Sequence, residues 1–197
     1  MINSISMEEY SAAPTRKPNS IKKFIRTYFI ERTLQKLPKT NSILDLGTGY
    51  GFFLSINPNA CGIDGDHTSI TYLKAKGYNV QQCDILKKLP FQNSEFEYAI
   101  AHDVLEHFTY DELKLIFPEV HRILKSGGHF LIFVPNKRGY DLGLRTGAGH
   151  KLFVTDSEIK NLSKGFFLIQ KNYPEPLPRG IGKFFNHNKE VFELIKT

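Results

Sequence analysis

The stretch Ile43-Leu44-Asp45-Leu46-Gly47-Thr48-Gly49-Tyr50-Gly51 decides how the rest of the chain is read. An apolar run interrupted by one acid enters three glycines at alternate positions, a pattern that predicts a buried strand over Ile43 to Leu46 and then a sharp turn. Lacking side chains, the glycines let the backbone turn tightly and approach a ligand, and the helix that follows presents free N–H groups. A glycine cluster alone fits a plain structural turn equally well, so its neighbours must choose between the two.

Downstream, short apolar runs alternate with helical segments. Ala60 to Ile63 predicts a second strand, His67 to Lys76 a helix stopped by Gly77, and Asn79 to Gln82 a third strand. Phe96 to Ala101 supplies a fourth strand. Tyr110 to Leu124 follows as a helix that Pro118 must kink or divide, and His129 to Val134 as a fifth strand after a Gly127-Gly128 turn. Beyond a glycine-rich loop from Lys137 to Gly149 come a helix near Thr155 to Ser163, a strand near Phe166 to Asn172 and a last strand at Val191 to Ile195. This rhythm specifies the α/β class: a central, mostly parallel sheet of six to seven strands with helices on both faces.

Upstream of the glycine turn, residues 1–19 mix small, polar and proline residues without hydrophobic periodicity, the pattern of a flexible tail. Ile21, Phe24, Ile25, Tyr28 and Phe29 then fall on one stripe of an amphipathic helix over residues 20–37, which Pro38 closes. Residues 20–197 are accordingly expected to form a single domain. The formal charge of +6 is concentrated in Arg16, Lys17, Lys22, Lys23, Arg26, Arg32, Lys36 and Lys39. That end is either an anion-attracting face or an ordinary solvated helix face.

With 197 residues, 41% of them hydrophobic, the chain can bury a core without disulfide or metal support. Cys61 and Cys83 belong to no CxxC or Cys/His pattern, so neither zinc nor a disulfide framework is expected, and a cytoplasmic setting fits. No apolar run approaches a membrane span, and the first twenty residues lack the apolar centre of a secretory signal. Nothing in the composition sets an oligomeric state.

The acids complete the argument for a cofactor turn. Asp64 closes the second strand, where a carboxylate can accept both hydroxyl protons of a ribose, and Asp84 follows the third. With Asp45, this puts three acids on the carboxyl-end rim, where open α/β sheets bind ligands. A nicotinamide-dependent oxidoreductase uses a similar turn, but its G-x-G-x-x-G spacing is absent: here Gly47, Gly49 and Gly51 lead directly into Phe52.

Five segments in order, ILDLGTGYG at 43–51, CGIDGD at 61–66, CDILKKLPFQNSEFEYAI at 83–100, HDVLEHF at 102–108 and ILKSGGHFLIFVPN at 123–136, resemble the core of the class I S-adenosylmethionine-dependent methyltransferases. The likeness is to the small, type 11-like members with a Rossmann-like fold and covers about half the chain. It implies S-adenosylmethionine as cofactor. By resemblance, Asp45 orients the methionyl end, Gly47 and Gly49 lie against the cofactor within the turn that Gly51 completes, Asp64 holds the ribose hydroxyls and Asp84 the adenine amine. The Ile85 backbone would meet the adenine ring, and Ala101 and His102 would border the amino acid end. One departure stands out: only Phe52 to Ala60 separates the turn from the second strand, so the first helix must be unusually short, with Pro58 enforcing an early stop.

A sulfonium methyl is already electrophilic, so methyl transfer needs an acceptor held in line and, for oxygen or nitrogen acceptors, a base matched to neutral pH. The candidates are His102, Asp103, Glu106, His107 and His150. His102 and Glu106 face one another if their segment is helical. His107 reads as a base or as a helix-start packing residue, and His150 as a base or as the anchor of a mobile, glycine-rich lid. No metal is expected, because His102, Glu106 and His107 offer no standard ligand spacing. Lys137, Arg138, Arg145 and Lys151 suit an anionic acceptor or a solvated basic rim. The expected acceptor is a small molecule; the alternatives are RNA or protein docked on the basic first helix, or a non-catalytic cofactor-binding scaffold.

Overall fold

A computed structural model describes residues 34, 35, 37–135, 149–174 and 189–197, with only the backbone described at 170–174 and 189. The expected tail, most of the first helix and the loop from Lys137 to Ala148 lie outside the described residues. Seven strands form one sheet in the order β3-β2-β1-β4-β5-β7-β6. They are β1 (Ile43–Leu46), β2 (Cys61–Asp64), β3 (Val80–Gln82), β4 (Phe96–His102), β5 (Leu124–Pro135), β6 (Phe167–Pro174) and β7 (Lys189–Lys196). From β3 through β5 every pairing is parallel, whereas β7 runs antiparallel to both its neighbours.

Among the described residues the helices are α1 (Phe52–Ile56), α2 (His67–Ala75), α3 (Tyr110–Ile123) and α4 (Asp156–Ser163), with one 3-10 turn at Leu105–His107. They cover both faces, and strand alternation shows how. Leu44, Leu46, Ala99, Ala101, Phe130 and Ile132 turn toward Leu113, Ile116 and Phe117 of α3 and Ile159 and Leu162 of α4. Ile43, Ile100, Leu131 and Phe133 turn the other way, toward Phe53 and Leu54 of α1 and Ile70 and Leu73 of α2. A strand buried on both faces must be apolar at every position. That is why Asp45, buried in β1, is conspicuous.

α1 is only five residues long, as the spacing before β2 requires, and ends at Asn57, whose side chain donates to the Pro38 carbonyl. Helices α3 and α4 each begin with a capping box, Thr109 with Glu112 and Thr155 with Glu158. Such caps satisfy otherwise orphaned N–H groups and contribute about 1 kcal/mol each.

Two expectations need correction. Of the kink or division expected at Pro118, the division does not occur: α3 runs through it as one helix with Leu113, Ile116, Phe117 and Val120 all buried, so packing outweighs the missing N–H. Strand β5 starts at Leu124 directly after α3, earlier than His129, and Gly127-Gly128 is a bulge within it. The register against β4 slips between the Phe96 and Tyr98 pairings. Gly127 takes φ +71°, and a Cβ on Gly128 would stand 2.8 Å from the Lys125 carbonyl oxygen, so these glycines make an irregularity that other residues would resist.

Candidate functional site

The strand order reverses direction between β1 and β4, so the crevice beyond their carboxyl ends is where this type of sheet takes a ligand. The glycine turn forms its floor. Gly47, Gly49 and Gly51 all have positive φ, at 69°, 49° and 84°. A Cβ on Gly47 would lie 2.6 Å from Val104 Cγ2, so the loop after β4 closes directly onto the turn. Around Gly49 the equivalent position has nothing within 4 Å, leaving its backbone open to a ligand.

The turn is stitched to the end of β2. Gly47 and Thr48 N–H groups both donate to the Ile63 carbonyl, at 2.8 and 3.0 Å. Asp64 fixes the next residue, accepting from the Gly49 N–H at 2.7 Å, while its other oxygen accepts from the Asp66 N–H at 2.9 Å. Each carboxylate oxygen retains a second lone pair for a further donor. Asp66 in turn caps α2 through the Thr68 and Ser69 N–H groups.

Asp45 lies behind the turn, where the Thr48 hydroxyl donates to its Oδ2 at 2.7 Å. Gly62 in β2 makes room for this contact, since a Cβ there would meet Thr48 Oγ1 at 3.0 Å. Burial pushes the Asp45 carboxyl up to about 7, and the Thr48 hydrogen bond only partly counters it. Asp84 is exposed after β3 and accepts from the Leu86 N–H at 3.0 Å, with Ile85 buried beside it. Arg122 of α3 holds the following loop by donating to the Leu89 and Phe91 carbonyls, and Glu119 accepts from the Leu89 N–H.

On the other half of the rim, Ala101 is buried near the end of β4 and His102 closes that strand. The His102 ring stacks on Phe52, centroids 5.2 Å apart, and meets Phe133 at 5.5 Å. The helical segment on which a facing of His102 and Glu106 depends is not formed, because β4 ends at His102 and Glu106 belongs to the 3-10 turn. Asp103 between them has φ +57°, a left-handed conformation that asparagine and aspartate tolerate better than most residues, and its N–H donates to the Phe133 carbonyl.

His107 and His150 meet although 43 positions separate them, their rings edge to face with centroids 4.8 Å apart. The Glu106 carbonyl accepts from the Lys151 and Leu152 N–H groups, which staples that segment to the 3-10 turn. Lys151 Nζ lies 3.3 Å from the Glu112 carboxylate, so this cation is engaged by α3. The Phe52 and Phe133 rings beside His102, and Val104 over Gly47, carry no chemical signature in the sequence; only tertiary packing identifies them.

Comparison with known proteins agrees with this geometry. The family model described as "Methyltransferase domain" matches residues 44–132. Those residues are a class I methyltransferase domain. The cofactor of this domain is S-adenosylmethionine. A tRNA (carboxymethyluridine(34)-5-O)-methyltransferase of Xenopus tropicalis is 31% identical over 104 residues, which cover 51% of this chain and 16% of that protein. The chain thus spans about a sixth of the length of that relative. Among solved structures, the PH0226 protein of Pyrococcus horikoshii superposes with a TM-score of 0.69 at 22% identity, covering 98% of this chain and all of that one. An S-adenosylmethionine-dependent methyltransferase of Mesorhizobium loti gives 0.64 at 19% identity over 85% of this chain and 96% of its own. At those identities the likeness is one of fold.

Proposed function

We propose that this domain transfers a methyl group from S-adenosylmethionine to a small-molecule acceptor, with the cofactor along the β1–β2–β3 rim and the acceptor on the β4–β5 rim. The observation that carries the reading is the glycine turn locked by Asp64, with buried Asp45 behind it and Asp84 beside it. The residues present fit the cofactor. Open backbone at Gly49 admits close approach, and the Asp45 carboxylate suits the ammonium group of the methionyl end. Asp64 has lone pairs for the ribose hydroxyls, while Asp84 and the Ile85 backbone would take the adenine. Ala101 and His102, the latter fixed between Phe52 and Phe133, border the amino acid end.

Bound there, the cofactor supplies a methyl group on a sulfonium, so the reaction class is direct in-line transfer. The chain's own contribution is positioning, together with an imidazole placed to take the acceptor's proton at neutral pH. His107 and His150 are the side chains for that role, brought together on the acceptor side. Described connections between the core strands are short, which leaves room for a compact acceptor. A cytoplasmic setting accords with two free cysteines, one of them, Cys61, pushed by burial up to about 11 and therefore kept as an unreactive thiol. Among the described residues, no helix is long and apolar enough to cross a membrane.

A second reading is favoured by one finding: the Xenopus relative acts on tRNA, and the basic residues before Thr40 suit a phosphate backbone. Transfer of labelled methyl groups into a pool of small metabolites and, in parallel, into tRNA separates the two. Product in the metabolite pool with little salt dependence supports the first reading. Product in tRNA that falls steeply with salt supports the second, and cofactor binding without product in either pool would favour a scaffold.

A further inference from the structure

Glu106, His107 and His150 carry ligand-capable atoms that all lie within 4.8 Å of one another. We propose that they form a binding site for a divalent transition cation of the zinc, cobalt or iron(II) kind, at the acceptor side of the rim. No local pattern reveals such a site, because its third member lies 43 positions beyond His107 and only folding delivers it.

The chemistry of the donor set comes first. Two imidazoles with one carboxylate favour borderline cations over magnesium or calcium, and three protein ligands leave coordination positions open for water or an oxygen of the acceptor. Distances are the second point. Ligand bonds of about 2.0–2.2 Å put the donor atoms of one ion about 3–4 Å apart, so small side-chain rotations bring this cluster to bonding geometry.

The surroundings are already those of a metal site. His107 Nδ1 lies 3.3 Å from the Gly149 carbonyl oxygen, and donation to it leaves Nε2 as the ligand nitrogen, the arrangement in which a backbone carbonyl orients a metal-binding histidine. Gly149 takes φ +102°, a conformation that brings this carbonyl to the histidine. Donation from the Lys151 and Leu152 N–H groups to the Glu106 carbonyl, at 2.8 and 3.2 Å, holds the two halves of the cluster in register. Glu106 is 1% exposed, so its carboxylate sits where a cation is poorly screened by solvent. With an ion bound, the imidazole lone pairs are committed, and the pair serves the acceptor by holding the cation rather than by taking its proton.

The test uses the full chain, freed of metal by a chelator that is then removed. Cobalt(II) is titrated in and followed by its visible ligand-field bands, zinc by calorimetry, and magnesium as the comparison ion. One cobalt or zinc per chain is expected, without the near-ultraviolet thiolate band that Cys61 or Cys83 would produce, and with magnesium at least about 100-fold weaker. His107→Ala and His150→Ala should each abolish stoichiometric binding, with Glu106→Gln weakening it. S-adenosylmethionine titrated into the same proteins in the presence of chelator shows that each is folded and tests the cofactor site independently. Folded wild type that takes up neither cobalt nor zinc, or binding that survives both histidine substitutions, would overturn the proposal while leaving the methyltransferase reading intact.

Discussion

Between Leu46 and Asp64 the rim is held by backbone: Gly47 and Thr48 donate to Ile63, and Gly49 donates to Asp64. Beyond β4 the joining spans a longer stretch of chain and ends in side chains: Lys151 and Leu152 donate to the Glu106 carbonyl, and Glu106 and His107 from one short turn meet His150, 43 positions beyond His107. The first half is local, glycine-dependent and acidic; the second is long-range and built on imidazoles. A turn locked by short-range hydrogen bonds is suited to holding one invariant ligand. A cluster assembled from distant segments can change its ligand through changes in any one of them, and connections between core elements are where such folds vary their substrates.

Breaking the backbone half should have the largest effect. Gly47→Ala meets Val104 in a left-handed backbone conformation and is expected to cost about 2–4 kcal/mol of stability by chemical denaturation, with cofactor affinity falling about 100-fold. Gly49→Ala has space and costs about 1 kcal/mol through its positive φ alone. Its Cβ nevertheless enters the ligand's approach, so affinity falls there far more than stability. Equal stability losses at the two positions would show that the turn is not closed by Val104.

A smaller effect comes from Asp45, whose folded pKa of about 7 stands above its ordinary 3.8. A carboxyl raised on folding stabilises the native state below its unfolded pKa, and that contribution is lost as pH rises through about 7. Without cofactor, the Asp45 titration should therefore contribute about 2–3 kcal/mol on going from about pH 8 to about pH 5, read as the difference between the wild-type profile and that of Asp45→Asn, because His121, held below its ordinary value by burial, works in the opposite direction. Cofactor affinity moves oppositely, weakening below about pH 7 because an ammonium group pairs only with the ionised carboxylate. Urea denaturation and calorimetry across that range check both directions. An unchanged profile in the Asp45→Asn variant would assign the titration to another group.

The smallest effect sharpens the contrast. His107→Ala and His150→Ala, measured by calorimetry with chelator present, should change cofactor affinity by less than about threefold, while turnover with an identified acceptor falls about 100-fold or more. A comparable loss of cofactor affinity would mean that the two halves of the rim are one site.

The same contrast explains what the sequence made legible. The turn, the three strand-end acids and the short α1 lie within contiguous segments, where glycine spacing and strand alternation have local causes, and each occupies its expected place on the sheet. The α/β class and mostly parallel sheet follow from the same periodicity, as do two late strands, whose antiparallel pairing at the edge only the structure shows. Pro118 does not divide α3 because propensity is local, while the helix is held by a buried face. Gly127-Gly128 misled because glycines mark a bulge as readily as a strand boundary. His107 and His150 were each visible as titratable residues, but their meeting, and Glu106 as the third partner, depend on chain closure over 43 residues, which no local pattern encodes.

The most direct test of the central claim, that the carboxyl rim of β1, β2 and β3 is the cofactor site, is calorimetric titration of S-adenosylmethionine and S-adenosylhomocysteine into the wild type and into Asp64→Ala and Asp84→Ala. Micromolar binding to the wild type is expected, with a loss of about 100-fold or more in Asp64→Ala, where the turn also loses its anchor, and about tenfold in Asp84→Ala. A folded wild type that binds neither compound, or variants that bind as tightly as the wild type, would contradict it.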